Sequence, residues 1–481
     1  MKYKNISLDK TIVAPSGAEG GGFCFVFMYN LIIYLYQLGV AIYSRFNDKV
    51  RRMWRGERDA FRVLSEQVDP AARYVWFHAA SLGEFEQGRP LMEELRRRRP
   101  ELKILLTFFS PSGYEVRKNY DGADIICYLP LDTRRNARRF LRLIRPEMAF
   151  FIKYEFWYNY LHILKHRGVP TYSVSSIFRD GQVFFRWYGR QYGRVLKCFT
   201  HFFVQNEKSR ELLASIGLTN VTITGDTRFD RVLKIKGEAL KAPLSSPEGD
   251  TIELLLNGAP LSIEAPSGAV GGALSSGAVG GASAKVFVAG SSWPPDEEIF
   301  IRYFREHPDW KLIIAPHVID ESHLQQIEKQ MDSRTVVRYT RLTPTQQADL
   351  LSTLKTIEAP SGAVGGASLI IDCFGLLSSI YRYADVCYVG GGFGVSVHNT
   401  LEAAVWGKPV IFGPENHKFQ EVQELKQVGG GFEITSYEDF ARLMDQFIQA
   451  PDLLTEASRQ AGSYVMQKAG ATEKILSMVG F

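Results

Sequence analysis

The chain has little sulfur chemistry to offer. Its five cysteines, Cys24, Cys127, Cys198, Cys373 and Cys387, are scattered with no C-x-x-C pair. That excludes a disulfide frame or a zinc ribbon, and the residues read as small buried hydrophobes of a reducing compartment. No D-x-D, no H-E-x-x-H and no His/Cys cluster occurs, so metal-dependent chemistry has no support. No G-x-x-x-x-G-K-[ST] loop occurs either, which removes the P-loop enzymes. Charge is not one-sided: 57 basic and 52 acidic residues leave +5. So mild a balance does not argue for nucleic acid. The basic run 96–99 reads as a solvated helix end, favoured there by the helix dipole. What is present is ordinary for a globular protein: 481 residues, 45% hydrophobic and 23% charged, enough for two or three domains.

One segment stands apart. Residues 23–43, FCFVFMYNLIIYLYQLGVAIY, carry no charge, and about 20 apolar residues span a bilayer. The next 14 residues, 45–58, hold six basic and two acidic side chains. The positive-inside rule then puts the bulk of the chain on the cytoplasmic side. A secretory signal fits less well, because the basic residues follow the apolar run and no A-x-A-like cleavage site is present. A spanning helix ranks above one lying in the interface. Met28 is a candidate start.

The pentapeptide A-P-S-G-A occurs at 14–18, 265–269 and 359–363, with S-G-A-V-G-G-A nearby at 267–273, 276–282 and 361–367. Such tracts cannot bury a core and read as loop insertions. Elsewhere short apolar runs alternate with helical patterns. Strands are expected at 74–78, 103–107, 125–128, 148–152, 171–174 and 202–204. The series restarts at 285–289, 311–315, 369–372, 386–389 and 410–412. Helices are expected at 86–98, 134–144 and 296–306. Two doubly wound α/β domains with a cleft between them follow, and ligands of such sheets bind at strand carboxyl ends.

The candidate residues all follow strands. H-A-A-S-L-G-E (78–84) places Glu84 in a strand-to-helix turn, where a carboxylate can take a proton. The same residues also read as a Ser81–Glu84 capping box. K-Y-E-F-W (153–157) surrounds Glu155 with aromatics that exclude water, or packs the sheet top with Glu155 solvated. T-G-D-T-R (224–228) brings Arg228 near the domain junction, able to steady a phosphate or carboxylate. A-G-S-S (289–292) offers the Ser291 and Ser292 hydroxyls and backbone N–H groups to a phosphate. Pro316 and His317 follow another strand, though a lone histidine more often has a structural role. The richest stretch is 390–419, GGGFGVSVHNTLEAAVWGKPVIFGPENHKF. Its glycines admit a ligand to the backbone, and Glu402 can accept hydrogen bonds from sugar hydroxyls. A purely structural βαβ turn is the alternative.

Taken together, HAASLGE, the E-x-W segment, TGDTRFD, AGSS and the 390–414 stretch resemble the 3-deoxy-D-manno-octulosonic acid (Kdo) transferases. The resemblance covers about residues 28–480. It implies an α/β chain of GT-B type: two doubly wound Rossmann-like domains facing a cleft, preceded by an N-terminal membrane helix. The expected organisation is a disordered extension over 1–22, an anchor helix over 23–44, an acceptor-binding domain over 45–235 and a CMP-sugar-binding domain over 236–481, with disordered insertions near 258–284 and 357–367. The resemblance further implies transfer of Kdo from CMP-Kdo to a lipid A precursor on the cytoplasmic face of the inner membrane, with inversion, without metal or other cofactor, and with no nucleic-acid partner. By matching positions, Glu84 is the base, and Glu155 and Arg228 stabilise the transition state. Donor contacts fall to Ser291, Ser292, Pro316, His317, Phe374, Gly375, Leu376, Asn399, Thr400, Leu401 and Glu402. The chain departs from the family at several of them. It has K-Y-E-F-W-Y-N for the usual E-T-E-L-W-P-N, Arg228 for lysine, A-P-H for P-R-H, and D-C-F-G-L (372–376) for D-T-M-G-E. Arginine for lysine keeps the charge but not the geometry. Two rivals remain: a nucleotide-sugar 2-epimerase, which shares the fold but is normally soluble, and a non-catalytic nucleotide-sugar binder at the membrane.

Overall fold

A computed structural model of the chain describes residues 20–241, 285–331, 334–341, 366–394 and 396–481. The A-P-S-G-A tracts and the expected insertion at 258–284 lie outside these residues. The chain divides into two compact units. One joins Met1–Gly225 to Thr472–Phe481, and the other is Asp226–Ala471.

The first domain is a parallel sheet in the order β3-β2-β1-β4-β5-β6-β7. Its strands are β1 (Tyr74–Ala79), β2 (Lys103–Phe108), β3 (Ile125–Tyr128), β4 (Met148–Ile152), β5 (Thr171–Ser176), β6 (His201–Val204) and β7 (Val221–Ile223). The order reverses between β1 and β4, where Phe77 pairs with Phe150 and His78 with Phe151. Both sheet faces are covered, so the strands are continuous apolar runs such as YVWFHA, all buried. One face packs Trp76, Phe140, Phe151 and Tyr160; the other packs Phe77, Phe85, Leu91 and Phe150.

The second domain repeats the plan in the order β10-β11-β9-β8-β12-β13-β14. Its strands are β8 (Val286–Ser292), β9 (Lys311–Pro316), β10 (Thr335–Arg338), β11 (Ala367–Ile370), β12 (Val386–Val389), β13 (Val410–Phe412) and β14 (Gly431–Glu433). Its reversal falls between β8 and β12.

Three expected boundaries need correction. The domain change comes at 225/226, not 235/236. The helix Arg228–Lys241 puts Phe229 and Val232 into the second domain's core, and the Ile475 and Leu476 side chains complete the first domain's. The N-terminal helix runs Gly20–Tyr43. It therefore starts inside the stretch expected to be disordered, since extending an established helix costs little. Ala367, assigned to an insertion, opens β11 and pairs with Thr335.

The glycine run after β12 is explained first by packing. A Cβ on Gly392 would lie 2.7 Å from the Gly413 backbone, whereas one on Gly394 would meet nothing within 4 Å. Gly392→Ala is therefore expected to cost at least about 1–3 kcal/mol of unfolding free energy by overpacking. Gly394→Ala should change it by less than about 0.5 kcal/mol. Denaturant melts of the two variants decide this, and equal stabilities would refute the packing account.

Candidate functional site

The reversal point of the first sheet carries the acid–base groups. His78, next to the last residue of β1, is fully buried, and Glu155 follows β4 with a side chain 13% exposed. The chain leaves β4 through Lys153 in a left-handed turn, φ 60°, which brings Glu155 back over the sheet end. His78 Nδ1 lies 3.2 Å from the Thr107 carbonyl oxygen and 2.9 Å from Thr107 Oγ1. A carbonyl can only accept, so Nδ1 carries a proton. On the other side, Nε2 is 3.1 Å from Glu155 Oε2. Trp157 Nε1 donates to Glu155 Oε2 at 2.7 Å and reaches His78 Nε2 at 3.1 Å.

Glu84 stands in the first turn of the helix Leu82–Arg98, which Ser81 caps. The Ala80 N–H donates to Glu84 Oε2 at 2.5 Å, and the Glu84 N–H to Ser81 Oγ at 3.5 Å. The capping reading is thus realised, and in the same carboxylate as the acid–base reading. Burial, and then the charge of Glu155, push the Glu84 carboxyl up to about 7; the Ala80 and Ser81 amides and Lys153 oppose them. A carboxyl that titrates near neutrality is suited to take a proton in solution at that pH.

The second domain gathers its residues at the carboxyl ends of β8, β9, β11 and β12. Ser291 adopts φ 52°. Its neighbour Ser292 does not face the surface: it is fully buried and donates to Glu297 Oε1 at 2.8 Å. Nor are the nearby amides free for a phosphate. Asp296 Oδ2 accepts both the Trp293 N–H and the Gly391 N–H, each at 2.9 Å. His317 is exposed and stacks on Trp293 at 4.9 Å and on His398 at 4.3 Å. Burial, with the His317 charge beside it, lowers His398 to about 4. Pro316 is buried beneath them. Phe374 is 84% exposed and Gly375 adopts φ 99°, with Leu376 partly buried. Asn399 Nδ2 and Ser378 Oγ donate to the two Glu402 oxygens at 2.9 and 2.6 Å. Leu401 is core rather than contact surface. Thr400 is also buried, and its hydroxyl has no partner among the described residues.

Arg228 belongs to the second domain, not to the carboxylate pair. It is held by Asp226 Oδ2 at 2.8 Å and Glu421 Oε1 at 2.8 Å, and these charges keep it firmly protonated despite burial. Its charge is already balanced twice over. Trp293, His398, Ser378 and Glu421 were not singled out from the sequence. Trp293 and His398 could have been, because each adjoins a chosen residue; nothing along the chain marks Glu421 as the partner of Arg228.

Residues 52–231 match the sequence model of the family described as 3-deoxy-D-manno-octulosonic-acid transferase (kdotransferase). The 3-deoxy-D-manno-octulosonic acid transferase of Aquifex aeolicus is 25% identical over 82% of this chain and 92% of its own. That of Haemophilus influenzae is 22% identical over 85% and 87%. A crystal structure of UDP-GlcNAc 2-epimerase from Neisseria meningitidis, bound to UDP-GlcNAc, shares the fold at TM-score 0.53. It is 13% identical and is covered over 99%, matching 84% of this chain. The two doubly wound domains are those of the GT-B fold.

Because burial raises the Glu84 carboxyl from 4.5 to about 7, folding favours its protonated form. Its contribution to stability is full below pH 4.5 and is lost as pH rises through about 7. Wild type should therefore lose stability relative to Glu84→Gln across that interval, by at most about 3 kcal/mol. Urea melts at successive pH values check this. A pH-independent difference would show Glu84 to be solvated.

Proposed function

For a glycosyltransferase that resembles the Kdo transferases, we propose transfer of Kdo from CMP-Kdo to a lipid A precursor, with Glu84 as general base. The observation that carries this reading is the Glu84–Glu155–His78 group at the reversal point of the first sheet, inside the family match. Glu84 takes the proton of an acceptor hydroxyl as its oxygen bonds to the anomeric carbon of Kdo. The bond from that carbon to the CMP oxygen breaks, its electron pair leaving with the phosphate. A single displacement inverts the centre. The transition state is oxocarbenium-like, so placed charge dominates. Glu155, 3.1 Å from His78 Nε2, can carry negative charge toward that centre.

On the donor side, His317 in its stack with Trp293 and His398 offers a flat aromatic edge for a base. Ser291 lies next to it for phosphate, and Glu402 can accept from ribose or sugar hydroxyls. Ser292 and Arg228 are poorer candidates than the resemblance implies, since both are occupied within the protein. The epimerase rival has the fold likeness in its favour, but the named Kdo transferases match most of the chain.

The N-terminal helix supports membrane association of an interfacial kind. Val26, Tyr29, Asn30, Ile33, Gln37, Val40, Ala41 and Ser44 recur at helical spacing and are less exposed than the rest of the helix. The opposite face exposes Phe27, Met28, Leu31, Ile32, Leu35, Leu38 and Ile42. Where Tyr29 and Asn30 bond to Asp132 and Asn159 of the first domain, the helix cannot have lipid on all sides. With exposed Arg45, Lys49, Arg52, Arg55 and Arg58 following, it fits a helix lying in an anionic interface.

With CMP-Kdo generated in situ and a tetra-acylated disaccharide acceptor, mass spectrometry should detect added Kdo. Glu84→Gln should lose turnover by roughly 10²- to 10⁴-fold with folding and CMP affinity intact. Absence of Kdo on lipid in wild type, or tighter binding of UDP than CMP, would sink the assignment. Independently, Leu31→Glu/Leu35→Glu should abolish flotation with anionic vesicles while leaving the melting temperature unchanged. Undiminished flotation would remove the helix face from the interface.

A further inference from the structure

The helix Tyr158–His166 begins without a cap of its own: Trp157 stands at the N-cap and its side chain accepts no amide. A helix start leaves its first N–H groups in need of acceptors. Asp132, from the loop after β3, supplies them. Its Oδ2 accepts the Asn159 N–H at 2.9 Å and its Oδ1 the Tyr160 N–H at 3.1 Å. Asn159 replies by donating its Nδ2 to the Asp132 main-chain oxygen at 2.6 Å. Asp132 is fully buried.

The same carboxylate reaches a third element. Tyr29, in the N-terminal helix, donates its hydroxyl to Asp132 Oδ2 at 2.7 Å, and its neighbour Asn30 accepts from Asn159 Nδ2 at 3.1 Å. The Tyr29 ring rests on Tyr158 at 5.1 Å and on Tyr192 at 6.4 Å. Burial raises the Asp132 carboxyl to about 7, and the Tyr29 hydroxyl and the two amides oppose that rise. Each donor thus helps to keep the cap ionised. The capped helix is entered directly from Glu155 and Trp157, whose indole holds Glu155 Oε2.

We infer that Asp132 is a positioning residue for transfer: it caps Tyr158–His166 and so fixes Glu155 and Trp157 against His78. Tyr29 makes that cap depend on the seating of the N-terminal helix. The catalytic part of this inference rests on the function proposed above; the capping part does not.

Four full-length variants test it: Tyr29→Phe, Asp132→Asn, Glu155→Gln and the double Asp132→Asn/Glu155→Gln. Tyr29→Phe keeps the ring packing, so it remains informative if Asp132→Asn folds poorly. Amide hydrogen exchange at Asn159 and Tyr160 should quicken in Asp132→Asn and, to a lesser degree, in Tyr29→Phe. In the transfer assay, Asp132→Asn should lower kcat roughly ten- to a hundredfold with donor KM unchanged. The double variant should be no slower than Glu155→Gln alone, because Asp132 acts through Glu155. An additive loss in the double variant, or wild-type kcat in Tyr29→Phe, would overturn the positioning role. Unchanged exchange in both single variants would overturn the cap itself. If wild type moves no Kdo, the function falls, and the exchange measurement still decides whether Asp132 caps the helix under the control of Tyr29.

Discussion

Two carboxylates and an imidazole meet at the ends of β1 and β4, in a place too dry to hold two separate negative charges cheaply. The first domain is organised around that constraint. Thr107 fixes the His78 tautomer by taking the Nδ1 proton, so Nε2 is left to deal with Glu155. The Glu155 oxygen facing Nε2 belongs to the charge that, after burial, raises the Glu84 carboxyl. The Trp157 indole closes the same oxygen from another direction. Glu84 is then the group free to change state, and its backbone amides limit how far burial can raise it. The strand pairing of His78 with Phe151 makes this possible, because it aligns the two strand ends that the residues leave.

The second domain solves its electrostatics by closing charges on each other. Arg228 lies between Asp226 and Glu421, Asp296 takes two backbone amides and the Tyr388 hydroxyl, and Glu297 takes Ser292 and His323. These groups are partnered within the domain. The glycines belong to the same account, since they let the turn touch Gly413. What remains outward is a smaller set: the His317 stack, Phe374, Ser291 and the Asn399–Glu402 pair.

Strands buried on both faces were legible because they are short unbroken apolar runs, and β3, β4, β12 and β13 fall where the pattern places them. The edge strands β7, β10 and β14 were not: VTI, TVVR and GFE are too short or too polar to stand out. The pair Glu84 and Glu155 could be read because each directly follows a strand. The histidine beside Glu155 was visible only as the first letter of a motif, since its orientation depends on Thr107 from the neighbouring strand. Asp132 was invisible, being a cap supplied from a different loop. The serines of A-G-S-S were read alike, yet they differ: one residue sits in a left-handed conformation, which turns the next side chain inward.

The helix Ala471–Met478 places Ile475 and Leu476, both fully buried, beside Val75, Phe77 and Phe150. Arg98 holds the same segment through Glu473 and the Phe481 carbonyl. A ribosome delivers a chain from its N-terminus, and domains generally fold in that order. Here the order is blocked. The first sheet can form early, but one wall of its core stays open until Ile475 and Leu476 emerge, after the second domain has been made. Translation that stops short yields a first domain with an apolar gap on its sheet. Such a product is open to proteolysis.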